Sequence, residues 1–207
     1  MLKGVKTIET VQKNLPVVLA SSSPRRIDML REHGISPIVI PADIDETIPN
    51  GLEVNDAVMY LALKKAMKVT NYPRVPVNAW VVGADTVVYK DRIIGKPANA
   101  DDAFDTLKFL CRGSHEVYTG VAIIQKASSQ HHVFYERTRV FFKDYSDKEI
   151  QEYINTGEPF DKAGGYAIQG RFSEYIDYIE GDRNNVIGFP WDRFIREWEK
   201  MSVDGGH

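Results

Sequence analysis

An aspartate lies in the middle of a strongly apolar stretch, and that placement constrains both fold and chemistry. Residues 79–89 (AWVVGADTVVY) read as a buried strand interrupted by one carboxylate, Asp85. A carboxylate there is costly unless it is paired or bound to a cation. Asp85 is therefore a metal ligand, a water-orienting base or one half of a structural ion pair. Gly83 leaves room for a close approach by backbone or ligand. Thr86 points to the opposite face of a regular strand, unless a bulge intervenes.

Other segments assemble around this strand. Residues 16–20 (PVVLA) predict a buried strand, Ser23 an N-cap and Pro24 the first position of a helix that stops at Gly34. Residues 37–41 predict a strand, and 42–51 an acidic loop. Residues 55–70 show helical periodicity through Val58, Leu61, Ala62, Ala66 and Val69. A short strand at 92–94, a helix over 99–111 and two long strands near 114–126 and 131–143, joined by a hairpin, follow. Ser146 and Glu149 form a capping box for a helix to Asn155. Residues 157–170 read as a Gly-rich loop, 174–180 as a strand, and Pro190 opens an amphipathic helix. Helices mixed with short buried strands and a long hairpin predict an α/β fold, a curved mixed sheet flanked by helices. The length of 207 residues suits one domain, with two lobes about a cleft as a variant and a frayed tail from about 202.

Composition narrows the function. With 26 Lys+Arg against 29 Asp+Glu the net charge is -3, which argues against a nucleic-acid polymer as partner. The single cysteine, Cys111, makes no internal disulfide and no multi-cysteine metal site, and reads as a buried small hydrophobe near a helix end. A reducing compartment, the cytoplasm, fits. The first residues, MLKGVKTIET, carry no signal-peptide run, and no stretch has the ~20 apolar residues of a membrane span. The histidines His33, His115, His131 and His132 show no metal-ligand spacing and read as helix-end or surface residues.

Several positions favour an anionic ligand. At the strand–SSSPRR–helix junction, free backbone N–H groups, serine hydroxyls such as Ser21, and Arg25 and Arg26 converge where a helix N-terminus disfavours cations. A bound phosphate accounts for that; an ordinary Ser-Pro cap with two solvated arginines is the alternative. Lys65 falls inside the apolar stripe of its helix, whereas Lys64 and Lys68 fall outside. Facing inward, it needs a partner charge, or its stem must snorkel to water. The loop Asp43-Ile44-Asp45-Glu46-Thr47 suits a hard cation, although acidic loops are commonly just solvated. Lys96 in IIGKP offers another cation or a plain turn lysine. In GEPFDKAGGYAIQG, Asp161 and Lys162 supply charge, and Gln169 a donor and acceptor for a base edge.

Together LASSSPRR, DIDE, GADTVV, GKP and GEPFDKAGGYAIQG, in that order over residues 19–170, resemble the Maf family of nucleotide pyrophosphatases. The resemblance implies an elongated mixed sheet with a central cleft, like that of inosine triphosphate pyrophosphatases. It also implies a divalent metal cation (Mg²⁺, Mn²⁺ or Co²⁺) and a homodimer. It gives Ser21, Arg25 and Arg26 to the phosphates, with Lys96 near them, and makes Glu46, Lys65 and Asp85 the catalytic group, with Asp85 and Glu46 holding the metal. Thr86, Arg26 and Gln169 match positions associated with pyrimidine preference, and YAIQG resembles the dTTP/UTP branch. Ser22 stands where glycine is common. The expected reaction is hydrolysis of a nucleoside triphosphate to monophosphate and pyrophosphate. Three rivals stand beside it: a haloacid-dehalogenase-type phosphatase, prompted by the DxDxT pattern at Asp43; a nucleotide-binding regulator of cell division without turnover; and an inosine triphosphate pyrophosphatase, against which the SSSPRR junction argues.

Overall fold

The computed structural model describes residues 15–204; the amino-terminal stretch and residues 205–207 of the expected tail lie outside it. The elements are β1 (Val17–Leu19), α1 (Pro24–Glu32), β2 (Ile38–Val39), α2 (Val54–Thr70), β3 (Trp80–Lys90), β4 (Arg92–Ile94), α3 (Ala100–Leu110), β5 (Gly113–Gln125), β6 (His131–Phe142), α4 (Asp147–Ile154), β7 (Ile176–Glu180), α5 (Arg183–Ile187) and α6 (Trp191–Asp204). They form a mixed seven-stranded sheet in the order β2-β1-β3-β5-β6-β7, with β4 added to β3. β1 is parallel to both β2 and β3, and the remaining pairs are antiparallel.

The register opens a gap in this sheet. Along one edge of β3, β5 pairs continuously from Trp80↔Gln125 to Tyr89↔Glu116. Val88 pairs with Val117 of β5 and also with Ile94 of β4, so β4 lies on the other edge, the one β1 occupies. β1 covers that edge only as far as Val82, whose carbonyl accepts Ala20 N–H at 2.8 Å. Between Val82 and Val88 no described strand pairs with that edge.

Alternation along β3 divides its side chains. Trp80, Val82 and Ala84 pack with Met29 and Leu30 of α1 and Phe194 and Trp198 of α6. Val81, on the opposite face, packs with Ala62, Ala66 and Val69 of α2. α2 lies almost on the sheet backbone: a Cβ at Gly83 would sit 2.3 Å from the Ala62 carbonyl oxygen, and one at Gly120 2.3 Å from that of Val58. Only glycine permits that approach. Further along the sheet, α3, α4 and the late loop enclose a second core around Leu107, Phe142, Ile150 and Phe172.

Several local expectations change. Ser23 occupies the N-cap of α1 but makes no side-chain cap bond; instead its N–H donates to Ser21 Oγ at 3.2 Å. The second strand shrinks to Ile38–Val39, an exposed edge paired only with three-residue β1. α6 carries regular structure to Asp204, into the segment expected to fray. The Gly-rich loop holds two 3₁₀ turns, Glu158–Asp161 and Ala163–Gly165. The Ser146–Glu149 capping box forms with both of its bonds.

Candidate active site

The gap in the sheet is the floor of a cleft of about 580 Å³, a volume suited to a small molecule. Ser21, Arg25, Arg26, Glu46, Lys65, Asp85, Thr86, Lys96 and Gln169 all line it. Asp85 and Thr86 point to opposite faces of an unbulged strand, yet both reach the cleft, because it wraps around the uncovered edge of β3.

On the α2 face, Lys65 joins two acids. Its Nζ lies 2.6 Å from Asp85 Oδ1 and 2.7 Å from Glu46 Oε1. Lys65 and Asp85 are each 8 % exposed. The inward stripe of α2 and the interrupted apolar strand thus answer one another: each brings a charge that the other neutralises. Burial by itself would raise the Glu46 carboxyl. The Lys65 hydrogen bond and charge, helped by Lys96 and Arg26, outweigh it and hold the group below the usual carboxylate value.

On the opposite face, Arg26 is buried and makes no salt bridge among the described residues. Its Nε donates to Gly188 O at 2.9 Å, one Nη to Ser21 Oγ at 3.0 Å, and the other to Thr86 Oγ1 at 3.0 Å. Burial lowers its pKa, and the neighbouring Asp85 charge acts against that shift. Arg25 reaches across the mouth to the late loop, donating to Asp161 Oδ2 at 3.0 Å. Lys162 bonds Asp161 Oδ1 and the Glu158 carbonyl. Lys96 and Gln169 are exposed on the wall, and neither makes a hydrogen bond or salt bridge among the described residues. Five cations and three carboxylates line the cleft, in a chain whose net charge is -3. This concentration of positive charge suits a polyanion.

The acidic loop divides. Glu46 enters the cleft, whereas Asp43 and Asp45 line a separate hollow beside Tyr60 and Met67. Asp45 Oδ1 is occupied by the N–H and hydroxyl of Thr47. The DxDxT acids therefore lie outside the cleft, which removes the geometric basis of a phosphatase nucleophile at Asp43. His115, expected at a surface, is 2 % exposed, and its Nε2 lies 2.6 Å from the Tyr166 hydroxyl behind the cleft wall. Alternation along β5 turns it inward. Cys111 caps α3 half-buried, its thiol against the Tyr145 carbonyl at 3.5 Å. Sequence reasoning missed Thr119, Asn185 and Gly188, which stand behind Arg26 and Thr86. The only local signal for them was a glycine after a short polar run.

No helix among the described residues is long and apolar enough to cross a membrane. A family model described as Maf-like protein matches residues 16–201. A Bacillus cereus (strain AH187) protein named dTTP/UTP pyrophosphatase is 43 % identical over 192 residues, 92 % of this chain and 98 % of that protein. A Pelotomaculum thermopropionicum protein of the same name is 46 % identical over 189 residues, 91 % of this chain and 97 % of that protein. A solved structure of the Staphylococcus aureus Ham1 protein overlaps more distantly, at a TM-score of 0.44 and 14 % identity over 79 % of this chain and 80 % of that one. With the family model spanning nearly the whole chain and relatives this similar over their full length, the chain belongs to the Maf family.

Proposed function

We propose that this chain hydrolyses a pyrimidine nucleoside triphosphate, dTTP or UTP, between its α and β phosphates, releasing the monophosphate and pyrophosphate. The observation that carries the reading is the cleft itself, where Arg25, Arg26, Lys96 and Lys162 surround a buried Lys65 that bridges Asp85 and Glu46. The names of the B. cereus and P. thermopropionicum relatives support it.

The donor set suits a hard divalent cation shared with substrate. Among the described residues no group of three or more His, Cys, Asp or Glu side chains could hold a metal by itself. Two carboxylates 2.6 and 2.7 Å from one ammonium match the way Mg²⁺ is bound, by one or two acids plus phosphate oxygens. Asp85 and Glu46 would hold it, and such an ion supplies Lewis-acid polarisation and a more acidic bound water. Arg26 and Arg25 grip the phosphates, and Lys65 and Lys96 offset charge that grows on the pyrophosphate as it leaves. One of these two carboxylates, Asp85 or Glu46, accepts the proton of the attacking water. Gln169 presents an unengaged amide to the base.

Turnover of UTP, dTTP, CTP, 5-methyl-UTP, GTP and 7-methyl-GTP with detection of pyrophosphate tests this. Release of phosphate in place of pyrophosphate, binding without turnover in the presence of Mn²⁺, or a preference for purines would each reject it.

A further inference from the structure

The ammonium of Lys65 stands between two acids, in the place where a metal ion would be drawn. Its Nζ lies 2.6 Å from Asp85 Oδ1 and 2.7 Å from Glu46 Oε1, so each carboxylate already holds a positive charge through one oxygen. Mg²⁺ takes its oxygens at about 2.0–2.1 Å. An ion on these same two oxygens would lie against the ammonium, and the two positive centres exclude each other. An ion on the other oxygen of each carboxylate is still beside Lys65 and is repelled by it.

Lys65 cannot withdraw by moving its backbone. The turn of α2 that carries it is seated on the sheet: a Cβ at Gly83 would lie 2.3 Å from the Ala62 carbonyl oxygen and 2.8 Å from the Ala66 nitrogen. Asp85 is held in β3, two residues beyond that glycine. Lys65 and Asp85 are both buried, whereas Glu46, from the acidic loop, is exposed. Lys65 and Asp85 are thus the fixed part of the trio. Only rotation of the lysine stem frees the acids, and a charge this buried then needs another anion to receive it.

Charge in the rest of the cleft acts in the same direction. Five cations against three carboxylates leave two positive charges in excess, and a bare divalent ion would double that excess. The phosphate tail of a nucleotide reverses the sign of the balance. Its oxygens offer the ammonium new partners, and they complete a coordination shell that two carboxylates leave open.

We infer that Lys65 is a resident cation that bars a free divalent ion from Asp85 and Glu46, so that the ion is held only together with the nucleotide. This rests on the nucleotide reading proposed above and adds an order of assembly to it. The acids are kept charged and paired until the triphosphate draws the ammonium away, and the protein without nucleotide binds the ion weakly.

Mn²⁺ is the probe for the test. In calorimetric titration of nucleotide-free protein, Lys65→Met is expected to bind Mn²⁺ at least about tenfold more tightly than wild type, the size of effect that one neighbouring charge has on proton binding to a carboxylate. Lys65→Met combined with Asp85→Asn is expected to lose that gain. Equal affinity in wild-type and folded Lys65→Met protein overturns the inference. If Lys65→Met does not fold, the wild type decides, through thermal melting with Mn²⁺, with α,β-methylene-UTP, whose bridging carbon resists cleavage, and with both. Mn²⁺ alone is expected to leave Tm in place, the analogue to raise it, and the two together to raise it beyond the analogue alone. A rise with Mn²⁺ alone that Glu46→Gln abolishes, or an analogue shift to which Mn²⁺ adds nothing, overturns this inference alone. No binding of the analogue, with or without Mn²⁺, defeats it together with the proposed function.

Discussion

Asp85 pairs across the sheet with Gly120, the position where α2 lies so close that a methyl group would come within 2.3 Å of the Val58 carbonyl oxygen. The missing side chain thus sets the height of α2 above the strand that carries the acid, and with it the reach of Lys65. Gly120→Ala must push backbone against backbone, and overpacking of this kind costs about 1–3 kcal/mol. We expect that loss in urea denaturation, together with reduced turnover because Lys65 is lifted from Asp85. Unchanged stability and turnover would show that the helix can shift without consequence.

Lys65 and Asp85 are both buried, so removing one strands the other. Lys65→Met is expected to destabilise the protein by about 3–5 kcal/mol, the cost of an uncompensated buried charge. Adding Asp85→Asn should return much of that stability without returning activity. Asp85→Asn and Glu46→Gln alone should each lower kcat by about 10²–10⁴ while the chain stays folded. Near-normal turnover in both would refute the catalytic assignment.

His115 gives the protein a dependence on acid that is separate from catalysis. Burial, with a smaller contribution from the Lys90 charge, lowers its pKa from 6.5 to about 3. The folded form therefore keeps the ring neutral where the unfolded chain would bind a proton. The stabilisation is complete above pH 6.5 and is lost progressively as pH falls toward about 3. Urea midpoints measured between those limits should decline for the wild type, and His115→Phe should flatten the slope by about one proton. A variant with the parental slope contradicts this.

Arg25 is engaged by Asp161 across the mouth of the cleft, in a pair that water reaches easily. A phosphate must compete with that carboxylate. Asp161→Asn is expected to lower KM for the triphosphate by about two- to fivefold, in line with the small worth of exposed pairs, with little change in kcat. An increase in KM would mean that Asp161 orients Arg25 and does not compete for it.

Much of this site is legible in the sequence where its cause is local. The period of α2 singles out Lys65 from its neighbours, and one acid inside an apolar strand singles out Asp85. A Ser-Pro junction followed by two arginines marks the end of α1 that opens on the cleft. The remainder depends on contacts between distant parts of the chain. Arg26 and Gly188 are 162 positions apart, and nothing near either one announces the other. In the acidic loop, composition treats Asp43, Asp45 and Glu46 alike, and only the path of the backbone sends the glutamate inward and the aspartates outward. His115 looks like a surface residue until the phase of β5 is known. Thr119 and Asn185 are ordinary polar residues whose role follows from what they face.

The breach in the sheet beside β3 lets two adjacent residues reach one cleft from opposite faces of the strand. Asp85 answers to α2 from one side of the strand, and Thr86 to α1 and α5 from the other. The acid–ammonium pair and the threonine–arginine contact are therefore mounted on different supports, although both reach one cleft. A substitution that disturbs one face of this single strand leaves the partners of the other face in place.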